Sequence, residues 1–70
     1  MPEMTPVTNS SNIAAIGHDG EALWVEFASG GTYSYPGVPV ATMLALQSAP
    51  SPGSFFFRHI KKRYEHRKEA

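Results

Sequence analysis

Seventy residues allow one domain, close to the size at which a single apolar core leaves little stability in reserve. With no cysteine there is no disulfide, and no His/Cys cluster has zinc spacing, so packing or a partner must hold the fold, as suits a reducing cytoplasm. The first residues lack a basic n-region and an apolar h-region, and no apolar run nears the roughly 20 residues that span a bilayer. Secretion and membrane insertion are therefore not expected, and the expected location is the cytoplasm.

The formal net charge of zero conceals an asymmetry. Residues 1–57 hold Glu3, Asp19, Glu21 and Glu26 and no Lys or Arg, a net of −4; residues 58–70 hold all six Lys and Arg against Glu65 and Glu69, a net of +4. A basic end can attract phosphate. A helix terminus also tolerates Lys and Arg because they complement its dipole, so a solvated helix end accounts for the same run.

Residues 1–11 contain Pro2, Pro6 and the polar run Thr8 to Ser11, with no periodicity, and read as a flexible N-terminal arm. Ile13 and Ile16 lie among small residues in a short strand, and their spacing of three rather than two predicts a bulge or strong twist. His18-Asp19-Gly20-Glu21 predicts a tight hairpin turn, since Asp-Gly tolerates positive φ. Ala22 to Phe27 alternates, with Leu23, Val25 and Phe27 on one face and Trp24 and Glu26 on the other.

The loop Ala28-Ser29-Gly30-Gly31 sets the register of the next strand, which carries Tyr33 and Tyr35 on one face. An odd loop puts the tyrosines beside Val25 and Phe27; an even loop puts them beside Trp24 and Glu26 as an exposed aromatic platform. A glycine in the left-handed position closing a three-residue loop favours the odd register. Pro36-Gly37 ends the strand. Pro39 then opens a helix over 39–48, with Val40, Met43, Leu44 and Gln47 at i, i+3, i+4 and i+7 and Leu46 adjoining. Pro50, Pro52 and Gly53 end it.

Ser54 is the expected N-cap of a second helix. Phe56, Ile60 and Tyr64 line its inner face at i, i+4 and i+8, with Phe57 beside them and Arg58, Lys61, Lys62 and Arg63 on its flanks. Three consecutive Phe exceed what one narrow stripe buries, which leaves Phe55 to cap the core edge or face a partner. Residues 65–70 have no apolar side chain before Ala70 and are expected to fray.

Little supports catalysis. Asp19 is the only Asp, no Ser sits in a Gly-x-Ser-x-Gly elbow, and His18 beside Asp19 reads as a structural end to a strand. His59 and His66 lack a third metal ligand, and the glycines match no phosphate-loop fingerprint. What remains is a binding surface. Arg58, Lys61, Lys62 and Arg63 with Trp24, Tyr33, Tyr35, Phe55 and Tyr64 make the combination used for single-stranded nucleic acid, where cations follow phosphates and rings stack on bases. Trp and Arg equally anchor protein interfaces.

Ser11 to Asp19, Leu23-x-Val25-x-Phe27, Gly31-x-Tyr33-x-Tyr35, Val38-Pro39 and Gly53-x-Phe55-Phe56 with Ile60 and Tyr64 resemble, in order and spacing, the KTSC domain. That family takes its name from the C-terminal extension of some lysyl-tRNA synthetases and also occurs as small free-standing proteins in bacteria and their phages. Its molecular function is not established; its attachment to a synthetase implies RNA binding. The resemblance implicates Tyr33, Tyr35, Phe55, Phe56 and Tyr64. The family pattern carries Tyr where His18 stands and Asn where Phe57 stands.

The expectation is an α+β domain over 12–64, a three-stranded antiparallel meander covered on one face by two C-terminal helices, preceded by the arm and followed by the frayed tail. It is expected to be a noncatalytic module without cofactor, metal or small-molecule substrate, binding RNA or another nucleic acid. The alternative is a protein-interaction adaptor of bacterial or phage origin docking through Trp24, Phe55 and the basic helix.

Overall fold

The structure, a computed structural model, describes residues 1–70. Its α+β architecture is a single antiparallel sheet of five strands in sequential order, with both helices on one face. The strands are β1 (Thr5–Pro6), β2 (Ile13–His18), β3 (Ala22–Phe27), β4 (Thr32–Pro36) and β5 (Arg67–Lys68). Helices α1 (Val40–Ser48) and α2 (Pro52–Phe56) lie between β4 and β5, and α2 runs directly into a π-helical turn, Phe57–Lys61. No helix is long and apolar enough to cross a membrane.

The central meander follows the expected pattern. The register shifts between Ile13 and Ala15, so the bulge lets Ile13 and Ile16 both reach the core despite their spacing. In the first hairpin the two turn residues are Gly20 and Glu21, with Gly20 at φ 99° and Asp19 N–H donating to the Ala22 carbonyl at 3.2 Å. Asp19 stays at negative φ and uses its carboxylate instead, accepting from Glu21 N–H and Ala22 N–H at 2.8 Å each. In the second hairpin Val25 pairs with Tyr33 and Leu23 with Tyr35, which is the odd register, and Gly30 takes φ 99° in the loop.

The core joins Ile13, Ile16, Leu23, Val25 and Tyr35 of the sheet to Val38, Leu46, Phe56 and Ile60. Helix α1 is rotated from the expected stripe: Leu46 is its one buried residue and Met43 is half-buried, while Val40 and Leu44 are 45% and 53% exposed. Its sequence is apolar on most sides, so periodicity alone does not fix which face packs inward. Helix α2 begins three residues earlier than expected, with Ser51 as N-cap and Pro52 at the first helical position, where its missing N–H costs nothing.

The sheet has five strands rather than three, because the arm and the tail both add to it. Thr5 and Pro6 pair with Ile16 and Ala15, and Val7 N–H donates to the Ala14 carbonyl at 2.9 Å. Instead of fraying, Arg67 and Lys68 pair with Ser34 and Tyr33, flanked by bonds between Thr32 N–H and the Ala70 carbonyl (2.9 Å) and between Glu69 N–H and the Thr32 carbonyl (2.8 Å). Both strands are two residues long and held by backbone pairing, which no apolar periodicity announces.

Candidate nucleic-acid interface

Odd register puts Phe27, Tyr33 and Tyr35 on the helix-facing side of the sheet, and α2 adds Phe56 from above. The turn after the π-helical segment brings the chain back as β5 and sets His66 against the tyrosines. The five rings form a closed cycle of near neighbours: Phe27 to Tyr33 at 5.7 Å, Tyr33 to His66 at 5.4 Å, His66 to Tyr35 at 5.8 Å, Tyr35 to Phe56 at 5.4 Å, and Phe56 back to Phe27 at 5.5 Å between centroids. Four of these contacts are edge-to-face, the geometry aromatic quadrupoles favour.

The five rings line one depression of about 420 Å³, with Lys61 on its rim and Ser29 and Gly30 of the hairpin loop closing one side. That volume lies within the roughly 300–1,000 Å³ typical of small-molecule pockets. Tyr35 is 4% exposed, so it forms the floor, while Tyr33 is half-buried and forms a wall. Burial pushes the Tyr35 phenol upward, with Tyr33 adding to the effect. A flat aromatic or heteroaromatic ring is the chemistry this cup suits, with an anionic substituent at Lys61.

The π-helical turn places the cations. π-turns are rare and occur frequently at functional sites. Phe57 points outward at 48% exposure with Lys61 Nζ and Lys62 Nζ 5.7 and 4.9 Å from its ring centroid. Phe57, rather than Phe55, is thus the exposed member of the Phe run; Phe55 is half-buried on the core and packs against His59 with ring centroids 4.6 Å apart.

Of the residues singled out from sequence, Lys61, Tyr33 and Tyr35 meet in the cup. Arg58 lies one turn earlier on the same helical segment beside a polar cleft, and Arg63 and Tyr64 share a separate depression with His66 and Arg67. Trp24 is not part of this surface. It lies on the opposite face of the sheet in a row with Gly17, Ser34 and Arg67, and its indole N–H donates to Asp19 Oδ2 at 2.9 Å. That bond, followed by those from Glu21 and Ala22 N–H, lowers the Asp19 carboxyl to about 2. His18 is also committed: its Nδ1 accepts from Gly20 N–H at 3.0 Å and its Nε2 lies 2.7 Å from the Val38 carbonyl, which makes Nε2 the protonated nitrogen.

Sequence reasoning did not assign Phe27 and His66 to the site, and Phe56 entered it only through the family resemblance. Phe27 was legible, since odd register places it beside Tyr33, and Phe56 was legible as the inner face of α2. His66 carried no such signal, because its position depends on the return of the tail to β4.

Comparison with known proteins bears on the fold and the family. The family model of the KTSC domain matches residues 9–64. A crystal structure of a KTSC domain protein from Yersinia pestis superposes with a TM-score of 0.90 at 38% sequence identity, covering 100% of both chains. Among curated proteins none matches this chain. The model match over most of the chain and the full-length structural match together establish that the chain belongs to the KTSC domain family.

Proposed function

We propose that this protein is a noncatalytic module that binds single-stranded RNA, seating a base in the aromatic cup and an adjacent phosphate at Lys61. The observation that carries the reading is the closed cycle of Phe27, Tyr33, Tyr35, Phe56 and His66 around one depression with a lysine on its rim. Base–aromatic stacking contributes about 1–3 kcal/mol per base and tolerates any sequence, because every base has a π-face.

The test is a titration of the isotope-labelled protein with a mixed-sequence oligoribonucleotide at low salt. Amide signals of Tyr33, Tyr35 and Lys61 are expected to move, and Tyr33→Ala is expected to weaken binding about 5- to 150-fold, the loss of one stacked base. A spectrum unmoved by the RNA, or a Tyr33→Ala variant that folds and binds as tightly as the parent, would sink the reading.

A protein-interaction module remains the second reading, favoured by Val40 and Leu44, which stay exposed one turn apart on α1. Capture from nuclease-treated lysate separates the two, since a protein partner survives that treatment and an RNA-bridged one does not.

A further inference from the structure

The aromatic cup does not end at Lys61. A smaller depression of about 270 Å³ shares Phe27, Ser29, Phe56 and Lys61 with it, and shares Ser11, Asn12, Gly53 and Phe57 with a polar cleft of about 630 Å³ beyond. The three adjoin along these shared walls, and together they are taken as one groove. No Asp or Glu lines any part of it, whereas the depression on the opposite sheet face contains Asp19, Glu21 and Glu69. Two cations mark its length: Lys61 at the passage and Arg58, three residues earlier on the same helical segment, at the cleft.

The chemistry changes along the groove, from rings to hydroxyls and amides. Asn9, Ser10, Ser11, Asn12, Ser51 and Ser54 contribute side chains that both donate and accept. Four of them are held in place: Ser10 Oγ accepts from Asn12 N–H and Ile13 N–H at 3.2 and 3.1 Å, Asn9 Nδ2 donates to the Ala49 carbonyl at 3.3 Å, and Ser51 Oγ donates to Ser54 Oγ at 3.1 Å. Such a lining matches a ribose, whose 2′-hydroxyl donates and accepts, and a guanidinium beside it matches a phosphate. Gly53 stands at the junction, in the wall of both passage and cleft. A Cβ there would come to 3.5 Å from Asn12 Nδ2 and 3.8 Å from Ser10 Oγ, so a longer side chain would fill the passage, and the backbone at Gly53 is not in the positive-φ region that demands glycine.

We propose that the Arg58 cleft is a second subsite, for the ribose-phosphate of the nucleotide next to the one in the cup. The protein's unit of recognition is then an RNA dinucleotide, with ribose preferred over deoxyribose. The proposal rests on the RNA reading above.

The experiment compares the dissociation constants of adenosine monophosphate, the ribodinucleotide ApA carrying a 5′-phosphate, so that it has two phosphates, and its deoxy counterpart for the parent, Gly53→Leu and the double variant Ser11→Ala/Asn12→Ala. ApA should bind about tenfold more tightly than the mononucleotide, the gain of a charge-assisted contact, and several-fold more tightly than deoxy-ApA. Gly53→Leu should abolish the ApA gain and leave mononucleotide binding unchanged, and the double variant should equalise ApA and deoxy-ApA. Equal affinity of the parent for mononucleotide and ApA overturns the second subsite while leaving the cup intact. So does a folded Gly53→Leu that retains the gain. If no nucleotide binds at all, or an acidic phosphopeptide binds more tightly than ApA, the RNA reading fails and takes the subsite with it.

Discussion

Asp19 shows how one side chain can close a turn and orient a ring on another element. Its carboxylate accepts from two backbone N–H groups and from the Trp24 indole, and the hydrogen bonds favour the charged form. A carboxyl depressed on folding contributes stability that is present above its unfolded pKa near 4 and is lost as pH falls through the folded value of about 2. The Asp19 carboxyl carbon is therefore expected to titrate near pH 2 by NMR, and Trp24 fluorescence to change with it. Asp19→Ala should remove that transition and reduce the difference in stability between pH 5 and pH 2. Gly17 carries a different constraint. A Cβ there would stand 2.5 Å from the Glu3 carbonyl oxygen and 2.8 Å from Met4 Sδ, so the glycine makes room for the N-terminal arm. Gly17→Ala should displace β1 at a cost of about 1–3 kcal/mol, visible as a lower urea midpoint and faster exchange of the Val7 amide, which bonds to Ala14.

At the scale of elements, β5 carries the larger consequence. It covers the free edge of β4, an edge that would otherwise present unpaired backbone groups to any passing strand. It is pinned by Ser34 Oγ donating to Glu69 Oε2 at 2.6 Å, and it positions the chain so that His66 completes the aromatic cycle. Removing residues 67–70 should cost about 1–3 kcal/mol, the net worth of a few hydrogen bonds. It should also expose the Thr32 amide to rapid exchange and promote self-association through β4, measurable by sedimentation. Unchanged protection of Thr32 in the truncated chain would show that β5 contributes nothing to the sheet. The helical elements were legible in outline. Phe56 and Ile60 occupy the inner face as their spacing of four implied, but the π-helical turn was not legible, since apolar residues four apart keep roughly one face in either helix type.

Across the whole molecule, about 25 × 22 × 20 Å, the charge asymmetry of the sequence resolves into distinct surfaces rather than one. Arg58, Lys61 and Lys62 lie along the groove side, Arg63 joins Tyr64 and Arg67 elsewhere, and Trp24 sits behind the sheet. Only the first three cations are placed to meet one strand. If each neutralises one phosphate at about 0.7 released counterions, the logarithm of the RNA association constant should fall with the logarithm of salt with a slope of about −2. Titration at several potassium chloride concentrations measures it. A slope near zero would rule out phosphate contact by these residues, and Arg63→Ala should leave the slope unchanged while Lys61→Ala makes it shallower.

The sequence by itself determined the α+β class, the three central strands, the bulge before Ile16 and the register that turns Tyr33 and Tyr35 inward, because these depend on alternation, loop parity and turn residues acting over a few positions. It also carried enough ordered motifs to place the chain in its family. Only the tertiary structure decided the two outer strands, the rotation of α1, the outward turn of Phe57 and the place of His66. Each of these depends on backbone pairing or packing between segments far apart in the chain, and such contacts leave no periodic trace in the residues that make them.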